Sequence, residues 1–354
     1  MPTTTVSTIG SGGDYSTLQA WEDAAAANLV TADEVWEGRL ISASTNISGT
    51  GVQLTVSGST TDATRYKHLT TAPGASFRDH VDALTNPLRF DSAKGASIES
   101  TTYYLYAINV TEQNFHLSNL QVRDVNGTQA GAIFSNANGI VLENSIFEGT
   151  ITGSGNGVVS IRAAVARNCL FIQRRASAAT YIAFSDGVCA FYNCTFAVPS
   201  DLPAATNGIR NEYGSLTIRN CGVFGATADV SLGGGSTLSA TTCYTDDASP
   251  STGFTTLAYS GAFENTADAT RDFRIPSTSG LKDVGTTDAT NAPTDIIGTS
   301  RPQGAGYDVG CWELFGGSAA TLDQIRFRWR NDDGDEDGAT WAAAENANIT
   351  APLG

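Results

Sequence analysis

The stretch Arg167-Asn168-Cys169-Leu170-Phe171 (RNCLF) has near copies at Tyr192 to Phe196 (YNCTF) and Arg219 to Phe224 (RNCGVF). Asn-Cys thus returns three times, each time shortly ahead of a Phe, in a chain with only six cysteines. Aligned on that Asn, two further copies emerge, FHLSNLQV centred on Asn119 and IVLENSIF centred on Asn144. The series Asn119, Asn144, Asn168, Asn193, Asn220 has spacings of 25, 24, 25 and 27 residues. A period in this range marks a repeat architecture.

The flanks of the Asn identify the repeat. Four and two residues ahead of it stand Phe115/Leu117, Ile140/Leu142, Ala164/Ala166, Cys189/Phe191 and Leu216/Ile218. All ten are apolar against a 41% background, which independent chance gives about once in ten thousand. The positions between them are mixed, so the segment alternates as a strand with one buried face. After the Asn, the first and third positions look inward again: Leu120/Val122, Ser145/Phe147, Cys169/Phe171, Cys194/Phe196 and Cys221/Val223. Strand, one-residue corner and strand, repeated every ~25 residues, describes a coil of a parallel β-helix, whose coils stack about 4.8 Å apart. Asn suits the corner because it tolerates the left-handed conformation, and stacked amides bond along the ladder. Cys169, Cys194 and Cys221 are then small interior fillers beside a column of Phe147, Phe171 and Phe196. A metal site would need tetrahedral ligand spacing and His partners, which the pattern lacks.

Composition agrees. The 354 residues include 37 glycines and one methionine, a turn-rich β profile. A net charge of −16 argues against nucleic acid and anionic membrane as partners. No run reaches the roughly 18 apolar residues of a membrane helix. The opening MPTTTVSTIGSGGDY has no basic start followed by an apolar stretch, so no secretory leader is expected, and synthesis in a cytoplasm keeps thiols reduced. Near the start, Ser16-Thr17-Leu18-Gln19 reads as a capping box ahead of Leu18, Trp21 and Ala25 at helical spacing, which predicts a short helix laid over the first coil. Residues 1–36 are read as this cap, 37–315 as the β-helix and 316–354 as a C-terminal strand or hairpin module. Residues 37–100 show no legible corners.

Three segments together carry a family resemblance. GGDYSTLQA at Gly12 to Ala20, the Asn-Cys coils and RPQGAGYDVGCWE at Arg301 to Glu313 resemble right-handed parallel β-helix proteins of the pectate-lyase-like superfamily, found in phage appendages and bacterial surface proteins. The resemblance implies an all-β, right-handed parallel β-helix and leaves activity open, because one fold hosts lyases, hydrolases, adhesins and virion parts. In the tail, RWRNDDG…ATW is similar to a short module of phage tail and bacterial surface proteins.

Carbohydrate-active relatives of this kind imply carboxylates lined up on neighbouring coils, or Asp-bound calcium with an Arg or Lys base. Asp124, Glu148 and Arg174 lie five, four and six residues past their Asn, and are expected to share one outer edge, as an acid–base pair or as a solvated charge ladder. His68, His80 and His116 show no common spacing, and His116 falls on an outward strand position. No GxSxG, HExxH or P-loop occurs. Asp333, Asp335 and Asp337 precede Gly338 like half of an EF-hand loop, but the twelfth position is Ala344, which favours an acidic turn over calcium. No other cofactor is expected. Ile325, Phe327, Trp329 and Trp341 form an apolar stripe in a tail too short to bury it, so it is expected at an interface.

The leading expectation is a non-enzymatic phage virion protein, a β-helix appendage on capsid or tail, homotrimeric and contacting other virion proteins, with a cell-surface polysaccharide as a further partner. A tailspike-like polysaccharide lyase or glycoside hydrolase and a bacterial surface adhesin, located extracellularly, are the alternatives.

Overall fold

A computed structural model describes residues 1–101, 106–125, 131–150, 157–174 and 181–315. The C-terminal module, with Ile325, Phe327, Trp329, Trp341 and the acidic Asp333, Asp335 and Asp337, lies outside the described residues.

One coil shows how the sequence makes the fold. His116–Ser118 is a strand of the first sheet, Asn119 turns the chain, and Gln121–Asp124 is a strand of the second. Ile133–Ser135 follows in the third sheet, and Ile140–Glu143 returns to the first, one coil further on. Repetition builds three parallel sheets of nine, nine and seven described strands, each pairing a strand with its counterpart one coil away. This is the right-handed parallel β-helix that the resemblance implies.

The Asn corners are left-handed: φ is 62° at Asn119, 48° at Asn144, 51° at Asn168, 49° at Asn193 and 52° at Asn220, and Thr242 continues the series at 54°. Their amides bond along the stack, Asn168 Nδ2 donating to Asn144 Oδ1 (3.2 Å) and Asn220 Nδ2 to Asn193 Oδ1 (3.3 Å). The cysteines staple the same corner. The thiols of Cys169, Cys194, Cys221 and Cys243 each donate to the carbonyl two residues back, at 3.3–3.4 Å, as the Ser145 hydroxyl does at 2.7 Å. All six cysteines are buried and free. Burial pushes the Cys243 and Cys311 thiols up to about 12, so neither is a ready thiolate at neutral pH. The ten apolar positions ahead of the Asn residues are all buried, and Phe171 stacks between Phe147 (5.3 Å) and Phe196 (4.8 Å).

Asn168→Gly keeps the left-handed backbone but loses the ladder amide, a loss of about 1 kcal/mol. Asn168→Val adds the left-handed penalty of a β-branched residue, roughly 1–2 kcal/mol more. Denaturant titration of both variants checks the order; equal losses would mean the corner conformation is not what selects Asn.

The N-terminal cap is a short helix, α1 (Leu18–Asp23), followed by α2 (Leu29–Ala32). Leu18 and Trp21 are fully buried over the first coils. The N-cap is Thr17 rather than Ser16, with Thr17 Oγ1 accepting from Ala20 N. Gln19 therefore leaves the capping box and bonds instead with the backbone of Thr55, its Nε2 donating to the carbonyl and its Oε1 accepting from the amide. A buried ion triad fixes the cap to the helix. Lys67 Nζ, 1% exposed, donates to Glu22 (2.6 Å) and Glu112 (2.9 Å) and to the Ser57 carbonyl.

Two departures from regular coiling shape the surface. Between Lys67–Thr71 in the first sheet and Ser97–Ser100 in the second, residues 72–96 replace the one-residue corner with a 25-residue excursion. The coils also end earlier than residue 315, at Phe254–Thr256. Residues 257–315 then run as a strap over the outer face of the second sheet. There Ile146, Leu170, Ile172 and Phe224, outward on their strands, are buried against Phe263, Phe273, Leu281 and Val309. The strap is pinned to the corner ladder: Gly310 N donates to Asn220 O, Thr286 N to Asn220 Oδ1 and Asn193 Nδ2 to Asp308 O. The RPQGAGYDVGCWE segment closes on its own Arg301, whose guanidinium donates to the Asp308 and Gly310 carbonyls and to Glu313.

Candidate functional site

The three residues expected along one outer edge do not form a shared site. Asp124 and Glu148 sit at offsets five and four from their Asn, and odd and even offsets face opposite ways on a strand. Asp124 accordingly pairs in register with Ser100 and Gly149 and is buried inside the coil. Glu148 points outward, but the strap covers it completely and Arg271 Nη2 donates to its Oε2 at 2.6 Å. Arg174, beyond the strand end, makes a two-pronged pair with Asp268 of the strap (2.9 and 2.8 Å) and stands 3.7 Å from Glu148. The acid–base pair on one edge is thus corrected to a structural clamp, with one carboxylate inside the helix and the other sealed beneath the strap.

The open polar cleft lies elsewhere, on the outer face of the first sheet beside the 72–96 excursion. It encloses about 350 Å³ and is lined by Glu37, Arg39, His68, Thr70, Arg78 and Asn119 among others. Strand pairing sets Glu37 opposite His68 and His68 opposite His116, so one outward file reads Glu, His, His. The outward neighbours Thr70 and Ser118 face each other in the next file, Ser118 Oγ donating to Thr70 Oγ1 at 3.0 Å.

These side chains are bonded in series. His68 Nδ1 lies 3.1 Å from Glu37 Oε2, and His68 Nε2 lies 2.9 Å from Ser118 Oγ. Asn119 Nδ2 donates to Thr70 Oγ1 (3.1 Å) and to Ser118 Oγ (3.3 Å). Asn119 Oδ1 in turn accepts from Arg78 Nη1, and the Nε of that guanidinium has no hydrogen-bond partner among the described residues. The bond from His68, aided by Arg39, holds the Glu37 carboxyl below its ordinary range against the opposing effect of burial. A charged carboxylate there accepts from a proton on Nδ1, while Ser118 gives its own hydroxyl proton to Thr70 Oγ1. His80, on the excursion, joins neither file; its Nδ1 accepts from the Asp82 amide.

His116 is outward as expected, yet it is half-buried and stacked on Tyr66 at 3.7 Å. Burial, then the neighbouring His68 and Arg167, push its pKa down to about 3. Because an unfolded histidine titrates near 6.5, stability is fully present above ~6.5 and is lost as pH falls toward 3, by up to about 2 kcal/mol at pH 5. His116→Phe, which keeps the ring stack, is expected to lose less stability than wild type between pH 7 and pH 5. Parallel melting profiles for the two proteins would refute this linkage.

Neither a protein-family model nor a curated protein matches the chain. Among solved structures, the crystal structure of pectate lyase Pel9A is similar, with a TM-score of 0.45 and 11% identity over 88% of this chain and 97% of that one. The pectin methylesterase from Aspergillus niger in deglycosylated form has a TM-score of 0.40 and 16% identity, covering 82% of this chain and 93% of that one. At these identities the likeness is one of fold alone.

Proposed function

We propose that this chain is a β-helix appendage of a phage virion that binds a cell-surface polysaccharide without cleaving its glycosidic backbone. The observation that carries the reading is the contrast between the two outer faces. Glycosidic hydrolysis needs two carboxyl groups flanking one sugar bond. Here Asp124 is inside the coil and Glu148 is locked to Arg271, and the two carboxyls of the open first-sheet cleft are engaged, Glu37 by Arg39 and His68 and Asp79 by the amides of Gly74 and Ser76, among hydroxyl, amide and guanidinium groups suited to sugar hydroxyls. The particle assignment is supported by the resemblance of the Asn-Cys coils and the RPQGAGYDVGCWE segment to phage appendages. Residues 316–354 are the proposed trimer and particle contact, since their apolar stripe needs a partner to cover it.

Mass spectrometry of purified particles tests the assignment, with the chain expected in fixed stoichiometry. Deleting residues 319–354 is expected to leave a folded β-rich monomer that no longer joins particles. Binding on a glycan array without release of reducing ends or unsaturated sugar is the expected result for the cleft. Release of either product would instead establish a backbone-cleaving enzyme.

A further inference from the structure

We infer that the first-sheet cleft holds an uncharged sugar unit by a pair of adjacent hydroxyl groups, with Arg39 on the sheet as donor and Asp79 on the 72–96 excursion as acceptor. This rests on the polysaccharide reading above and names the class of sugar. Most polar groups of the cleft already bond one another. Glu37 accepts from Arg39 Nε on Oε1, and its Oε2 lies 3.1 Å from His68 Nδ1. Asn119 Nδ2 donates to Thr70 and Ser118, and Asn119 Oδ1 accepts from Arg78, whose Nη2 lies beside Gly298 of the strap. What remains is a donor on one wall and an acceptor on the other. Arg39 is 35% exposed and bonds through Nε alone, which leaves both Nη groups without a partner among the described residues. Asp79 is exposed and takes the amides of Gly74 and Ser76 on Oδ2 alone, which leaves Oδ1 to accept from a ligand.

A ligand in this cleft meets a guanidinium on one side and a carboxylate on the other. A carboxylate or phosphate on the ligand would pair with Arg39 but stand against Asp79 and Glu37, and an ammonium would stand against Arg39. A hydroxyl group has a hydrogen to give and lone pairs to receive, so it satisfies both walls with no charge of its own. Two adjacent hydroxyls match the planar fork in which a guanidinium presents its N–H groups. The whole lining agrees. Its two carboxylates, Glu37 and Asp79, offset its two guanidiniums, Arg39 and Arg78, in a chain of net charge −16 that repels acidic polymers.

Size limits how much of the ligand is held. The cleft's 350 Å³ lies at the lower end of the roughly 300–1,000 Å³ of small-ligand sites, room for about one or two sugar units. In the same lining Ala72 and the exposed Pro73 present carbon, against which the C–H face of a sugar ring can lie. A polysaccharide is therefore gripped at a short unit rather than along its length.

The test uses the full chain on an array of dextran, mannan and galactan fragments beside polygalacturonate and hyaluronan fragments. Wild-type protein is expected to retain uncharged fragments only, with an affinity that salt scarcely changes and that levels off at a short oligomer. Arg39→Lys keeps the charge but loses the fork, and is expected to weaken retention about tenfold or more, as loss of a hydrogen bond to a charged group does. Asp79→Asn leaves the cleft with excess positive charge, and is expected to weaken uncharged binding and to admit polygalacturonate. Thr255→Arg, exposed on the second sheet, is expected to match wild type. The choice between uncharged and acidic fragments is read on wild-type protein, so it decides even where a variant fails to fold. Retention of acidic fragments, alone or alongside uncharged ones, overturns the inference and leaves the polysaccharide reading standing, as does uncharged binding that both folded variants keep in full. Retention of nothing on the array removes both.

Discussion

Phe171→Ala is expected to cost about 3–5 kcal/mol in a denaturant titration, the range for truncating a fully buried aromatic. The ring has no solvent contact and lies between the parallel rings of Phe147 and Phe196, with Phe191 edge-on at 6.2 Å. Collapse cannot fill the space it leaves, because backbone hydrogen bonds fix the coils on either side at one strand spacing. Leu in its place would recover much of the loss by refilling the volume. In a stacked repeat, stability runs through contacts between neighbouring coils, so a defect here weakens the join between the two halves of the solenoid. A loss below about 1 kcal/mol for Phe171→Ala would mean the rings do not stack and the coil register is wrong.

The central coils were legible because one constraint repeats there without interruption. Each corner needs a left-handed residue, each flank needs an in–out strand, and Asn119 to Asn220 supply both at a near-constant period. A second left-handed corner was also readable and was missed. Asn114, Gly139, Ala163, Gly187 and Gly214 have positive φ five or six residues ahead of each Asn, and the glycines among them are the visible signal. The early coils were illegible for a physical reason. Residues 72–96 take the place of one corner and are as long as a whole period, so His68 and His116 lie 48 residues apart yet on adjacent strands.

That same excursion hid the cleft. Glu37, His68 and Ser118 are separated by 31 and 50 residues, distances that no periodic alignment of the later coils yields. For the second sheet the error was one of parity, since offsets of five and four cannot share a face. The covering of that sheet, by contrast, had a signal. Ile146, Leu170, Ile172 and Phe224 are apolar at outward positions, and a strand apolar on both faces is a strand buried on both.

The strap that covers them gives the second large effect. Glu148 has no solvent contact, Arg271 is 8% exposed, and their 2.6 Å pair joins the strap to the second sheet. Removing one member of a buried pair strands the other charge, typically at about 3–5 kcal/mol. Arg271→Ala is expected near the low end of that range, because Arg123 and Arg174 remain within 4 Å of the same carboxylate, at 3.6 and 3.7 Å. The double variant Glu148→Gln, Arg271→Met is expected to regain most of the loss, since no uncompensated charge is left. The loss should also be local. The coils keep their own cross-coil hydrogen bonds, whereas residues 257–315 contribute no strand to the three sheets and hold on through side chains and a few corner contacts. Hydrogen exchange on Arg271→Ala should therefore quicken in residues 257–315 and at Ile146, Leu170 and Ile172 beneath them, with the interior strands of the first and third sheets unchanged. Equal loss of protection in all three sheets would show instead that strap and coils open as one unit.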